Sequence, residues 1–287
     1  MKLGIIGSEN THSAAIAKMI NVDKLIKGMA VTHIWGETPE LARSTAEAGK
    51  VPNIVKDPSE MLGQVDCVMV DHRDGKYHIP SIKAFAKAGL PIFVDKPMST
   101  SLAEAKSFVK FCQRNDVPLC TLSAMPHQDS FKQIKKEMAK LGKIRSIHTD
   151  GPGEFRSPYG GIWFYGIHQV DLMVEMAGFK ARTVQMSTNG NDSMAVVNFE
   201  GDLTATMNFI AAGTRTFSVT IIGDAGTLHR AVTFDALPYL ATTKLFTSMF
   251  KTRKEPFTAQ RMLQPIAVLD AMEKSLATGR PAKIAKV

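Results

Sequence analysis

Over residues 1–122, short continuous apolar runs alternate with longer stretches whose apolar positions recur at helical spacing. The runs Lys2 to Ile6, Ala30 to Trp35, Val51 to Val55, Asp66 to Val70, Ile92 to Val94 and Val117 to Leu122 read as strands. The run ending at Val70 does not alternate, which is the pattern of a strand covered on both faces. Ser13 to Ile20, Tyr77 to Ala88 and Ser101 to Asn115 read as helices, as do segments opened by Glu37-Thr38-Pro39-Glu40 and Asp57-Pro58-Ser59-Glu60. Thr38 is placed to cap its helix, with Pro39 at the first helical position. Strands alternating with helices of roughly ten to fifteen residues predict βαβ units and therefore an α/β domain built on a doubly wound parallel sheet.

The rhythm changes after Leu122. Phe131 to Leu141 reads as a basic amphipathic helix, Ile144 to Thr149 as a strand, Gly151 to Gly161 as a Gly- and Pro-rich loop, and Phe164 to Ala177 as a helix. Five strand-like runs follow: Thr183 to Ser187, Ser193 to Phe199, Leu203 to Ile210, Phe217 to Ile222 and Thr227 to Val232, with turns at Glu200-Gly201-Asp202 and Gly223-Asp224-Ala225-Gly226. Pro265 to Thr278 reads as the last helix. Residues 123–287 therefore predict a second, α+β domain with a mostly antiparallel open sheet, and the final helix 265–278 is expected to pack back on the first domain. Thr242 to Glu255 is poorly patterned and reads as a mobile segment or a linker. A strand-rich sheet with partial helical cover has a free face, which points to self-association.

The 287 residues are 44% hydrophobic and 22% charged, an ordinary globular composition long enough for two domains. No apolar run approaches the roughly eighteen residues of a membrane helix, and Met1 to Gly7 is interrupted by glycine too soon for a signal peptide. Cys67, Cys112 and Cys120 are odd in number and set among apolar residues, so they read as small buried hydrophobes of a cytoplasmic protein. No grouping has zinc-ligand spacing, and the expected metal content is none. The formal charge of +8 is dispersed, and its densest cluster, Lys251-Thr252-Arg253-Lys254, lacks aromatic neighbours. That argues against nucleic acid and for anionic small molecules.

Candidate chemistry gathers at Ile92-Phe93-Val94-Asp95-Lys96-Pro97, where an apolar strand ends in an acid, a lysine and a proline. Ligands of open parallel sheets gather outside the carboxyl ends of the strands, and Pro97 ends the strand there. Lys96 is thereby held where it can reach a substrate oxygen.

The chain resembles the glucose–fructose oxidoreductase / inositol dehydrogenase / rhizopine-catabolism (Gfo/Idh/MocA) family. The resemblance rests on the N-terminal strand, glycine loop and helix, on Val94-Asp95-Lys96-Pro97, on Gly160-Gly161 with Gly166-Ile167-His168-Gln169-Val170-Asp171, and on the closing Ser275-Leu276-Ala277-Thr278-Gly279-Arg280-Pro281. It implies a Rossmann domain, an α+β domain whose open sheet makes the face of a homodimer or homotetramer, and an NAD(P)-dependent oxidoreductase acting on a sugar- or polyol-like or acidic substrate. Oxidising an alcohol needs a group to polarise the oxygen, an acid–base group and a nicotinamide. Lys96 fits the first and His168 the second, facing Lys96 across a domain crevice; Asp171 shares a helical face with His168, and Tyr165 or Glu154 stands in for an aspartate the family often has at position 164.

The dinucleotide loop departs from G-x-G-x-x-G, because only Gly7 keeps its glycine while Glu9 and His12 take the other two places. Ser8, Asn10, Thr11 and His12 are the expected phosphate donors at the helix start. Glu37 is the expected ribose acid, favouring NAD over NADP by repelling a 2′-phosphate. His72, Arg73, His78, Asp95 and Lys96 complete the expected cofactor contacts. The alternative is the same fold with a repurposed cleft, serving a non-redox lyase or isomerase or binding an anionic ligand or metal.

Overall fold

The computed structural model describes residues 1–287, which divide into two compact units. One comprises Met1–Ser99, Ala103–Leu122 and Tyr239–Thr258; the other comprises Thr100–Leu102, Ser123–Pro238 and Ala259–Val287.

In the first unit, β1 (Lys2–Ile6), β2 (Ala30–Trp35), β3 (Asn53–Ile54), β4 (Cys67–Val70), β5 (Ile92–Val94) and β6 (Leu119–Thr121) form one sheet in the order β3-β2-β1-β4-β5-β6. Every pairing is parallel. The strand order reverses between β1 and β4, which opens a crevice at their carboxyl ends. Helices α1 (Thr11–Asn21), α2 (Pro39–Gly49), α3 (His78–Lys87) and α4 (Leu102–Arg114) connect the strands. Thr38 caps α2 as expected, its hydroxyl accepting from the Leu41 amide at 3.2 Å. The segment opened by Asp57 is a single 3₁₀ turn, Pro58–Met61, instead of the expected helix. Gly63, at φ +75°, cuts it short after one turn.

At the reversal point β1 runs very close to the chain leaving β4. A Cβ on Gly7 would lie 2.7 Å from the Asp71 carbonyl carbon, and Gly7 has φ +107°. Crowding and backbone strain act together at this one position. Gly7→Ala is expected to cost about 1–3 kcal/mol from the backbone conformation alone, read as a lowered urea midpoint. An unchanged midpoint would show that the loop relaxes freely.

The segment Thr242 to Glu255, expected to be mobile or a linker, is mostly ordered as α7 (Leu240–Thr252) and belongs to the first unit. Its Phe246, Met249 and Phe250 are buried in the same core as Ile16, Ile20, Val31 and Phe93. Phe246 stacks on Phe93 with ring centroids 4.3 Å apart. The final helix belongs to the second unit.

In the second unit the sheet order is β12-β11-β7-β10-β9-β8-β13. The strands are β7 (Ile144–Pro152), β8 (Ala181–Asn189), β9 (Asp192–Phe199), β10 (Thr204–Ile210), β11 (Phe217–Gly223), β12 (Gly226–Val232) and the short β13 (Ala282–Lys283). Only the β7–β10 pair is parallel. Alternation is clear in β9, where Ala195, Val197 and Phe199 are buried and Met194 and Asn198 are exposed. The helices are α5 (Asp129–Met138), α6 (Ile162–Ala177) and α8 (Ala259–Thr278). Pro265, expected to begin the last helix, lies inside α8. Proline brings no N–H to the helical ladder, and Arg261, Met262 and Leu263 of the preceding turn are buried. Gln169 fixes α6 to the sheet: it accepts from Thr149 at 2.7 Å and donates to the carbonyls of Asn208 at 2.8 Å and Gly151 at 3.1 Å. The architecture is thus the expected doubly wound sheet plus a mostly antiparallel sheet with helices. All three cysteines are buried and free, and burial pushes the Cys67 and Cys112 thiols up to about 12.

Candidate active site

At the carboxyl ends of β1, β4 and β5, a compact polar group lines the crevice of the first unit. Asp71, directly after β4, is fully buried. Burial, and then repulsion from Asp95, push its carboxyl well above the ordinary range. The proton count agrees. Ser13 Oγ has one hydrogen but lies 2.8 Å from the Gly7 carbonyl and 2.6 Å from Asp71 Oδ2. The arrangement is satisfied when neutral Asp71 donates to Ser13 and Ser13 donates to Gly7. Asp95 behaves oppositely. Burial disfavours its charge, but His12, 3.2 Å from Oδ1, and the nearby Lys96 outweigh that and hold its carboxyl below the ordinary range. One carboxyl of the pair is thus neutral and the other ionised.

Asn10 spends its carboxamide hydrogens on these two acids, 2.9 Å from Asp71 and 3.2 Å from Asp95. The His12 imidazole faces Asp95, with the Tyr239 ring 4.4 Å away centroid to centroid. Both side chains give hydrogen-bonding capacity to the buried carboxylate Asp95, which needs donors. His12, Asp71 and Asp95 bring their ligand atoms within 4.8 Å of one another; Asn10 bridges the two carboxyls by hydrogen bonds, and His12 bonds Asp95. Lys96 follows Asp95 and is only 7% exposed. The Lys96–Pro97 peptide is cis.

Beside this group Glu37 takes up the loop amides. Its Oε2 accepts from the Ser8 N–H at 2.8 Å and the Glu9 N–H at 2.9 Å, while Oε1 lies 2.8 Å from His72 Nδ1. Burial opposes its ionisation, but the His72 and Ser8 hydrogen bonds prevail and lower its pKa. Ser81 gives its hydroxyl hydrogen to the Tyr77 carbonyl at 2.8 Å, so its oxygen accepts from His72 Nε2 at 2.9 Å. His72 therefore braces Glu37 against the loop. His78, an expected cofactor contact, is fully buried: Nδ1 is 2.7 Å from the Pro97 carbonyl and Nε2 2.8 Å from the His72 carbonyl. Burial drives it down to about 4 against the two carbonyl contacts, which favour a ring carrying both hydrogens, and the ring lies as a buried brace between two loops. Gly75 makes that closeness possible, since a Cβ there would meet Pro97 at 2.8 Å. Arg73 is half-buried in the same loop, and Thr11 is exposed at the start of α1.

A dinucleotide needs an anion site here, and one test is whether the helix start is already satisfied. Asn10, at the N-cap of α1, makes no side-chain capping bond, and the first turn contains no acid. The α1 amides thus retain the polarity that favours a phosphate, and Glu37 takes only the preceding Ser8 and Glu9 amides. The residues present fit such a group.

In the second unit, α6 follows the two positive-φ glycines Gly160 and Gly161. His168 lies in its second turn, with Nδ1 2.8 Å from Ser123 Oγ. The Tyr165 ring centroid is 5.7 Å from that of His168, and the Tyr165 hydroxyl accepts from Arg215 at 3.2 Å. Asp171 is buried and connects to His168 through Ser123. It accepts from the Ser123 amide at 3.2 Å and pairs with Arg261 at 2.7 Å. Ser123, Arg261 and Ser13 escaped the sequence reading because no motif or spacing ties them to their partners.

Residues 1–122 match the family model described as the oxidoreductase family with an NAD-binding Rossmann fold. Among curated proteins, the chain is 23% identical to YceM of Salmonella typhimurium, named as an oxidoreductase, over 79% of this chain and 74% of that one. It is 22% identical to inositol 2-dehydrogenase of Corynebacterium glutamicum over 68% of this chain and 59% of that one. Of the solved structures, scyllo-inositol dehydrogenase from Lactobacillus casei with bound NAD(H) and scyllo-inositol aligns at a TM-score of 0.85 and 16% identity, covering 100% of this chain and 99% of that one. A probable dehydrogenase from Thermotoga maritima aligns at 0.83 with 19% identity, covering 99% of each chain. At these identities the structural likeness speaks for the fold, while the sequence match of the first 122 residues speaks for descent. With the Lys96 turn, the glycine loop and the two sheets all in the expected order, residues 1–122 match this NAD-binding oxidoreductase family and the whole chain resembles inositol dehydrogenases in fold.

Proposed function

We propose that the protein is an NAD-dependent dehydrogenase or reductase of a small polyhydroxylated or acidic substrate, in which Lys96 polarises the reacting oxygen and His168 is the acid–base group. The observation that carries this reading is the first unit's crevice, where an uncapped helix start, a braced ribose acid and a buried lysine meet at the strand-order reversal. NAD supplies hydride transfer when bound. The α1 amides would hold its phosphates and Glu37 its adenosine ribose. Lys96, beside ionised Asp95, offers an ammonium group to the oxygen on which charge develops. His168, in the second unit, is assigned to the proton of the same oxygen. Tyr165, beside His168, is assigned to contact the substrate. Self-association through the open face of the second sheet belongs to the same reading, for Met194, Ile210 and Ile222 are exposed on that one face.

The deciding experiment is titration with NADH and NADPH, following energy transfer from Trp35 and Trp163. Saturable NADH binding in the roughly micromolar range is expected, with NADPH weaker by about tenfold or more because Glu37 keeps its charge. No binding of either at millimolar concentration would reject the reading and leave the repurposed cleft.

A further inference from the structure

We infer that Ser123 is a positioning residue for His168, setting which ring nitrogen carries the proton; this rests on the proposed acid–base role of His168. Ser123 is 1% exposed, so its hydroxyl hydrogen must be satisfied inside the protein. Its oxygen already accepts from the Met125 N–H at 3.2 Å. The acceptor within reach of the hydroxyl hydrogen is His168 Nδ1, at 2.8 Å. A hydroxyl that donates to Nδ1 requires that nitrogen to be bare, so neutral His168 carries its proton on Nε2.

The hydroxyl is not loosely held. The Ser123 amide donates to the Asp171 carboxylate at 3.2 Å. Asp171 pairs with Arg261 at 2.7 Å, and Arg261 pairs with Glu175 at 2.7 Å. The Tyr165 and Phe217 rings flank the imidazole, with centroids 5.7 Å and 5.9 Å away. A buried ion-pair chain rooted in α8 thus reaches the imidazole of α6 through one serine.

The consequence is directional. With hydrogen on Nε2, neutral His168 meets a substrate oxygen as a donor, the form suited to polarising a carbonyl for reduction. Accepting a proton from an alcohol at Nε2 requires the other tautomer, in which Nδ1–H donates and the Ser123 hydroxyl has turned to accept. Ser123 therefore biases the resting enzyme towards the carbonyl-binding state.

The test needs no substrate. In ¹⁵N-labelled full-length protein, two-bond proton–nitrogen spectra distinguish the tautomers, with His168 assigned by the signals lost in His168→Gln. In the wild type the Nε2–H form should exceed the other by about tenfold, the worth of one hydrogen bond. Ser123→Ala should remove that excess and Ser123→Thr should restore it. A wild-type Nδ1–H tautomer, or an excess unchanged in Ser123→Ala, would overturn the inference; should Ser123→Ala fail to fold, the wild-type spectrum decides alone. Polyol turnover by His168→Gln reports separately on the acid–base reading: normal turnover beside the expected spectra would reject that reading and leave Ser123 setting the tautomer of a non-catalytic histidine.

Discussion

Lys96→Ala is expected to lower polyol turnover by about 10²–10³-fold while leaving NADH affinity within about threefold, the size of effect seen when one preorganised charge is removed from a developing oxyanion. The argument is electrostatic. Lys96 is 7% exposed and lies beside Asp95, whose carboxyl stays ionised despite burial. An ammonium group in so dry a place acts with much less screening than one in water. Arginine should not rescue it, because a planar fork cannot replace a compact charge in a packed turn. Fluorescence titration gives the affinity, and NADH formation with myo- or scyllo-inositol as trial substrates gives turnover. Turnover unchanged in the variant would remove Lys96 from the chemistry.

The same substitution has a pH signature. Asp95 has a depressed folded pKa, so it contributes stability above its unfolded pKa of about 3.9, and that contribution is lost as pH falls through the folded value. Lys96 is one of the groups depressing it. Lys96→Ala should therefore lower Tm at neutral pH, and the gap from wild type should narrow as the solution is acidified. Asp71 works in the other direction, for its raised folded pKa makes its contribution fade as pH rises.

The parallel sheet was readable because buried strands leave unbroken apolar runs; β4 is buried at all four positions. The second sheet was readable through alternation, as in β9. Helix α7 escaped notice although Thr242, Phe246, Met249 and Phe250 recur at helical spacing. Threonines at buried positions blunt the apolar signal, and Thr247 satisfies its hydroxyl on the Thr243 carbonyl, which lets it sit in a core. The Lys96 turn and His168 were visible through motifs. What sequence could not show is how Asn10 and His12 would turn: a loop short of glycines looked built for phosphate, yet two buried acids from β4 and β5 drew both side chains inward. Glu37, displaced by one residue from its usual place, still reaches the loop because His72 braces it from the far side of β1.

The second large effect is expected at the Arg261–Asp171 pair. Both side chains are under 10% exposed, and burial, which opposes the Arg261 charge, is outweighed by Asp171 and Glu175, which raise its pKa. Removing Asp171 leaves Arg261 with Glu175 alone in a dry site, a loss that approaches the about 3–5 kcal/mol of a broken buried pair only as far as Glu175 fails to compensate. Asp171→Ala should therefore lower the Tm of the second unit by up to about 10 °C. Asp171→Asn keeps an acceptor for the Ser123 amide and should lose less, and the difference between the two variants measures that hydrogen bond. The double variant Arg261→Met, Asp171→Leu separates charge from packing, since an apolar pair of similar volume removes the buried charges together. It should recover much of the loss, with a coupling energy of at least about 1 kcal/mol in the cycle. Additive single effects would mean that the two groups are held independently. Stability recovered without recovered turnover would then show that the pair acts on the reaction through Ser123 and His168, not through the fold.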